Sequence, residues 1–174
     1  MSAPLYRSQT RSILVSALPS TLRNALLTHA DEKKLAMVAT SAWLTHRENP
    51  PSTTMFGKLF GKRSNDVDPD AEHDMVLVLH ATHLLVGTSG ARRGTTILSL
   101  PLLVATATRG GLLAGRTPRS NVDSPSDDGL TISGFPGDHG SPGTYFMGLG
   151  AGADADACVR AVMSALEAAK NPAT

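Results

Sequence analysis

Several residue types are scarce in this chain of 174 residues, and each scarcity excludes a class of protein. The single cysteine, Cys158, excludes an internal disulfide framework and a cysteine-rich zinc site. No apolar run approaches the ~18–20 residues that a membrane-spanning helix needs. Aromatic residues make up only 4% of the chain, which with the near-zero net charge disfavours nucleic-acid binding.

Charge is unevenly distributed along the chain, although its net value is only +1. Residues 1–63 contain nine Lys and Arg against three Asp and Glu, whereas residues 64–174 contain seven against twelve. Such a distribution suits contact with an anionic surface or self-association. The first 30 residues lack any acid, and this composition is also that of an organellar transit peptide, so targeting by residues 1–30 stays open beside a role in the fold.

The length and the hydrophobic fraction of 41% predict one domain with one core. We place this domain at residues 20–171, after an N-terminal arm at 1–19 and before a tail at 172–174. A helix is predicted over 21–30, with Ser20 as its N-cap. Seven strands with short polar or glycine-rich turns are predicted at 34–46, 75–82, 83–89, 95–101, 102–109, 129–137 and 144–150.

The clearest helix is the last element of the chain. Asp154 is its predicted N-cap, and Asn171 with Pro172 ends it. Residues spaced by three and four predict an inward stripe made of Cys158, Ala161, Val162, Ala165, Leu166 and Ala169. The fold class predicted is therefore α+β, mainly β, with an antiparallel curled sheet or barrel between an N-terminal helix and a capping C-terminal helix.

The connection at 48–73 is long for a compact domain, and loops of this length are usually functional or disordered. It contains the segment MFGKLFGKRSN at 55–65, in which apolar residues alternate with cations. Two interpretations stay open: the apolar side chains pack on the domain, or they contact a partner or a lipid headgroup layer beside the cations. The candidate contact residues are Phe56, Lys58, Leu59, Phe60, Lys62 and Arg63, with Arg92 and Arg93 of a glycine-bounded turn as a second, anion-binding group.

An alternating acidic run follows this segment, from Asp66 through Asp68, Asp70 and Glu72 to Asp74. It lacks the glycine and the final glutamate of a helix–loop–helix calcium site. We therefore predict a solvated acidic linker.

No catalytic arrangement emerges from the remaining chemistry-bearing residues. His80 and His83 are three apart on a predicted strand, so they are expected on opposite faces and unable to share a metal. The residue types of a catalytic triad occur together at Asp138, His139 and Ser141, but they lie in a glycine- and proline-rich turn without a nucleophile elbow. We expect no enzyme activity, no metal and no cofactor.

The run DMVLVLHATHLLVGTSGARRGTTILSLPL, with the closing TYFMGLGAGADADACVRAVMSALEAAK, resembles bacterial domains of the pleckstrin-homology-like (PH-like) superfold. The resemblance implies that the connection between the first two strands carries lipid headgroup contacts through spaced cations, which here are Lys58, Lys62 and Arg63. Eukaryotic phosphoinositide-binding members also have basic residues at the end of the first strand, and only Arg47 corresponds to these.

These observations predict a non-catalytic PH-like module that binds a protein partner, itself as an oligomer, or an anionic membrane surface. The expected location is the cytoplasm, with peripheral contact to a membrane. The alternative is a small-ligand-binding protein or an enzyme, with a pocket at the open end of the sheet.

Overall fold

A computed structural model describes residues 6–38, 40–51, 63–65, 67–110, 128–136 and 142–172. Within these ranges the chain forms eight strands in two antiparallel sheets, together with two α-helices and one short 3-10 helix. The fold is α+β and mainly β, so the predicted fold class is confirmed.

The first sheet contains five strands in chain order, each antiparallel to the next. They are β1 (Arg7–Ile13), β2 (Ser41–Glu48), β3 (Glu72–Leu79), β4 (His83–Gly90) and β5 (Gly94–Pro101). Because the strands alternate in direction, one end of this sheet contains the start of β1, β3 and β5 and the end of β2 and β4. We call it the connection end; the pairs Arg7–Glu48, Glu48–Glu72 and Gly90–Gly94 define it.

Helix α1 (Ser20–Glu32) covers one face of this sheet. Leu22, Leu26 and Ala30 are spaced by four, so they form one stripe of the helix, and all three are buried. The stripe packs on a cluster that includes Leu44, Val76, Val78 and Leu85 of the sheet. Ser20 is the first residue of the helix, after Pro19 at the cap position, and no side chain caps the helix, so the predicted Ser20 N-cap is wrong.

The second sheet and the last helix cover the other face. The sheet consists of β6 (Thr106–Arg109), β7 (Gly129–Pro136) and β8 (Pro142–Gly148), and helix α2 spans Ala153–Lys170. A bulge interrupts the pairing of β7 with β8 between Ser133 and Phe135. Gly134 lies at the bulge with φ +121°, a backbone conformation that residues with a side chain rarely adopt.

The main core fills the space between the two sheets and α2. Cys158, Val162 and Leu166 of α2 are buried in it, which confirms the predicted stripe, and Ala161, Ala165 and Ala169 pack at its margin. Trp43 and Leu44 are consecutive in β2, so they point to opposite faces. Trp43 is buried in the main core, whereas Leu44 is buried beneath α1.

Further local predictions also differ from the structure. The segment assigned to an N-terminal arm contains β1, which pairs along its whole length with β2. The strand predicted from residue 34 begins at Ser41. The last helix begins one residue before Asp154, with Gly152 at its cap; instead of capping the helix, the Asp154 carboxylate accepts a hydrogen bond from the Ser12 amide at 3.1 Å. His80 lies outside the strands, and its ring is 6.2 Å from that of His83.

A connected polar network at the connection end

The described parts of the long connection are tied to the connection end by backbone pairing. The Asn49 amide donates to the Ala71 carbonyl at 2.7 Å, which extends the pairing of β2 and β3 by one step. Pro51 forms an isolated bridge with Arg63, and the Ser64 amide donates to the Pro50 carbonyl at 2.8 Å. Residues 51 and 63 are therefore neighbours in space, and the segment between them starts and finishes at this end of the sheet.

Asn49 fixes the returning chain through its side chain, which is buried. Its amide nitrogen donates to the Asn65 carbonyl at 2.7 Å, and its side-chain oxygen accepts from the Asn65 backbone at 3.0 Å. The Arg63 guanidinium donates to the Asn49 carbonyl at 2.9 Å, although Arg63 itself is exposed. A buried asparagine with both amide groups satisfied holds this loop in one place.

The acidic run continues the network into the turn between β4 and β5. Asp70 is buried and accepts hydrogen bonds from the backbone amides of Arg92 at 2.7 Å and Arg93 at 3.3 Å. The Arg93 guanidinium donates to Asp70 through Nε at 2.7 Å and to Asp68 through a terminal nitrogen. The prediction of a solvated acidic linker is therefore wrong for Asp68 and Asp70, because both carboxylates are enclosed and bound by cations and amides.

Tyr6 and Arg47 close the network from the β1 and β2 side. The Tyr6 hydroxyl donates to Asp68 at 2.5 Å and accepts from the Asn65 side chain at 2.7 Å. The Arg47 guanidinium lies 4.0 Å from the centroid of the Tyr6 ring, within cation–π distance, and donates to the Ser8 hydroxyl at 3.2 Å. Arg47 is only 7% exposed, so its guanidinium is buried in the protein and is not part of the solvent-facing surface.

His73 lies at the centre of these groups, 4% exposed, with its ring edge-on to Tyr6 at 5.9 Å. Its Nδ1 is 3.6 Å from an Asp68 oxygen and makes no hydrogen bond within the part of the chain that the structure describes. Burial and the charges of Arg93 and Arg47 lower the pKa of His73 to about 4, against the opposing effect of Asp68 and Asp70.

The network also shifts the pKa of its other acids. Burial alone would raise the pKa of Asp68, but hydrogen bonds from Tyr6, the Asp70 amide and Arg93 lower it to about 2. Burial and the hydrogen bond to Asp68 raise the pKa of Tyr6 to about 12. At neutral pH the network thus consists of ionised Asp68, protonated Tyr6 and neutral His73.

Three of the predicted contact residues lie at this end. Arg63 and Arg92 are exposed, and Arg93 is partly buried in its ion pairs with Asp68 and Asp70. Phe56, Lys58, Leu59, Phe60 and Lys62 lie outside the described residues. Of the two groups of cations, the structure therefore places Arg63 of the first and Arg92 and Arg93 of the second at the same end of the first sheet.

Sequence reasoning missed the residues that organise this end, namely Tyr6, Asn49, Asn65 and His73, and gave Asp68 and Asp70 the wrong environment. The Asn and Asp residues of this loop were a signal for part of this arrangement. In the structure the Asp70 amide donates to the Asp68 side chain at 3.0 Å, and the Val67 amide donates to the Asn65 side chain at 3.1 Å. Asn and Asp commonly make such turns with residues two positions on. Nothing in the sequence indicates that Tyr6 reaches this loop.

The described surface beside the network carries an open groove of about 460 Å³, lined in part by His46, Asp74 and Thr95. Among the described residues, no three His, Cys, Asp or Glu side chains are arranged to hold a metal ion. None of the described helices has the length and apolar character needed to cross a membrane.

No known protein family, curated protein or solved structure matches this chain.

Proposed function

We propose that this chain is a non-catalytic interaction module that contacts an anionic membrane surface with its connection end. The observation that carries the proposal is the bridge between Pro51 and Arg63. It joins the two residues that flank the segment 52–62, which contains two phenylalanines and two lysines, at the end of the sheet where Arg92 is also exposed.

The charges at this end support an anionic partner. Asp68 and Asp70 are enclosed and bound by Arg93, so these two carboxylates are shielded from an approaching negative charge. At this end Arg7, Arg63 and Arg92 face solvent, against the exposed Glu48 and Glu72, and Lys58 and Lys62 of the segment 52–62 add to the positive side. Each basic residue close to an anionic membrane contributes ~1 kcal/mol to binding, and apolar side chains that enter the headgroup layer add to it.

We also propose that the chain is related to the PH-like superfold. Seven strands and a terminal helix follow α1, and the connection between the first two of these strands, β2 and β3, lies at the proposed contact end. Strand β1, which precedes α1, is an addition to the expected order. On this proposal the chain is cytoplasmic and reaches the membrane only through the connection end.

Co-sedimentation with liposomes tests the function. Neutral and anionic vesicles are mixed with the natural chain, with the pair Phe60→Glu and Lys62→Ala, and with the pair Arg63→Ala and Arg92→Ala. The matched control removes two exposed arginines elsewhere, Arg11→Ala with Arg160→Ala, and so changes the net charge equally.

We expect recovery of the natural chain and of the control with anionic vesicles, and reduced recovery of both connection-end pairs. Equal recovery of all four proteins with neutral and anionic vesicles would refute the membrane proposal. If the natural chain sediments with neither type of vesicle, membrane binding is refuted, and a protein partner remains as the candidate ligand of the connection end. Equal losses in the control and the connection-end pairs would show a general charge effect and would also overturn the assigned site.

A further inference from the structure

The two outer strands of the first sheet differ in what lies against their free edges. Strand β1 is covered by the start of α2 and the segment before it: the Ser12 amide donates to Asp154 of α2, and the Thr10 hydroxyl donates to the Leu149 carbonyl at 2.6 Å. Strand β5 pairs with β4 from Gly94 to Pro101, and no other strand in the described part of the chain pairs with its opposite edge.

Strand β5 also lacks the features that usually protect such an edge. Residues 94–104 contain no charged residue, its one proline is the last residue of the strand, and its register with β4 is continuous, without a bulge. Edge strands of monomeric proteins are commonly blunted by lysine, by internal proline or by a bulge. Among the described strands, none but β4 pairs with the backbone donors and acceptors of β5, so the row along its other edge can accept a further strand.

Apolar side chains accompany this edge. Leu98 is 37% exposed, and Leu103 and Val104, just beyond the strand, are 69% and 59% exposed. By comparison, β8, another outer strand, begins with Pro142 and has no large apolar residue that is fully exposed. The edge of β5 thus combines backbone groups that pair with no described strand and an uncharged, apolar border.

The strand is held firmly from both faces. Ile97 packs toward the α1 cluster, and the Ser99 hydroxyl is hydrogen-bonded to His29 of α1 at 2.8 Å. On the opposite face, Leu100 is buried in the main core. Since β5 is fixed in this orientation, its edge is a preformed template, and little ordering entropy is lost when a strand pairs with it.

We propose that β5 pairs antiparallel with β5 of a second copy of this chain, so that two five-stranded sheets become one continuous sheet. Unpaired backbone groups along an edge are satisfied by another extended backbone. A two-fold axis brings the same neutral segment against itself without any like-charge contact. This pairing is a separate proposal from the membrane contact, because it is centred on the middle of β5, whereas only the first residue of that strand, Gly94, lies at the connection end.

The symmetry fixes the register to a small set. A two-fold axis through the sheet must pair residues that point to the same face, so Leu98 can meet Leu98 of the second copy, with Ile97 opposite Ser99. Antiparallel pairing also points the two connection ends in opposite directions. One flat membrane would therefore be contacted by one copy of the dimer at a time.

Size-exclusion chromatography with light scattering, over a range of concentrations of the full chain, tests the pairing. We expect a dimer for the natural chain and a monomer for Leu98→Lys, which places two lysines at the axis. The matched control is Val38→Lys, which changes another exposed apolar residue, 77% exposed and outside β5. It should remain a dimer, and circular dichroism should show all three proteins folded.

Cross-linking provides a second readout that does not depend on disrupting the dimer. Opposed residues of paired strands have Cα atoms about 4.5–5.5 Å apart, within the range that a disulfide spans. Leu98→Cys should form a covalent dimer on mild oxidation, whereas Val38→Cys should not, and the buried native Cys158 should take no part. A monomeric natural chain at every concentration, an unchanged dimer for Leu98→Lys, or equal cross-linking of both cysteine variants would overturn the proposal.

Discussion

Arg93 donates to Asp70 at 2.7 Å and so joins the turn between β4 and β5 to the long connection between β2 and β3. The two residues are 23 positions apart, and Asp70 also accepts hydrogen bonds from the backbone of that turn. One buried carboxylate therefore orders two loops at the same end of the sheet. This is the structural basis on which the connection end can present a defined surface.

Replacing Asp70 by Ala should destabilise the protein and loosen the connection end. The change leaves the Arg93 guanidinium without one of its two carboxylates and leaves the backbone amides of Arg92 and Arg93 without their acceptor. We expect a lower urea midpoint and faster amide exchange at residues 67–71 and 91–93. The exposed Arg92→Ala is the control, with an expected change in unfolding free energy within about 0.5 kcal/mol.

A double-mutant cycle separates this ion pair from general loop effects. Arg93→Met should destabilise the natural chain, and it should have a smaller effect once Asp70 is already Ala, when the remaining loss comes from its ion pair with Asp68. Additive effects of the two changes would contradict a direct pair and would assign the stabilisation by Asp70 to the backbone amides alone.

The sequence indicated which loops form this end of the sheet, but it did not indicate the contacts between them. The long connection and the Arg92–Arg93 turn could be recognised from proline, glycine and charge, because these residues act locally. The burial of Asp68 and Asp70 could not, because it depends on Tyr6 and Arg93, which are distant in the chain. Alternating acids look the same in sequence whether water or an arginine surrounds them.

Leu26 and Leu27 provide a test of how α1 is attached. Leu26 is fully buried against the first sheet, whereas Leu27 is 43% exposed. Leu26→Ala should lower the free energy of unfolding by about 2–5 kcal/mol, since it leaves a cavity in a packed core. Leu27→Ala changes the helix propensity by the same amount as Leu26→Ala. It should lower the free energy of unfolding much less, by ~0.5 kcal/mol, because Leu27 is partly exposed.

Urea denaturation followed by circular dichroism measures both free energies. Similar losses for Leu26→Ala and Leu27→Ala would contradict the assigned orientation of the helix. A strongly reduced slope of the unfolding free energy against urea concentration, in either variant, would instead show that two-state unfolding no longer holds.

Elements with a clear hydrophobic period in the sequence were predicted well. Elements without such a period form only through pairing with distant parts of the chain. Helix α2 and the stripe through Cys158 follow from spacing alone, because a helix repeats every 3.6 residues. The opposite faces of Trp43 and Leu44 follow from the strand period of two. Strand β1 was missed because its polar sequence, RSQTRSI, gives little hydrophobic signal, and its strand structure depends on its partner β2.

Stability should fall as the pH is lowered from about 6.5 to 4, because the pKa of His73 is lowered to about 4 in the fold. Between these values the unfolded chain binds more protons than the folded protein, so protonation favours unfolding. One such group contributes a slope of at most ~1.4 kcal/mol per pH unit. Below pH 4, Asp68, with its pKa of about 2, extends the loss toward pH 2.

Urea denaturation between pH 7 and pH 4 measures this slope. His73→Leu removes the titrating ring and should give a flatter dependence. Burial and His80 also lower the pKa of His83, so His83→Gln is the matched control, which should keep the larger part of the slope. An unchanged slope in His73→Leu would assign the acid sensitivity to other groups.

Cys158 should be unreactive toward thiol reagents while the protein is folded. Burial in the main core raises the pKa of its thiol to about 12, so hardly any reactive thiolate forms at pH 8, and the sulfur is inaccessible. A disulfide reagent that releases a coloured thiolate should label one thiol per chain in guanidinium and almost none in buffer. Rapid and complete labelling of the folded chain would show that α2 detaches readily from the core. Slow labelling at a rate independent of reagent concentration would measure the opening of α2 itself, since each exposure of Cys158 would then be followed by reaction.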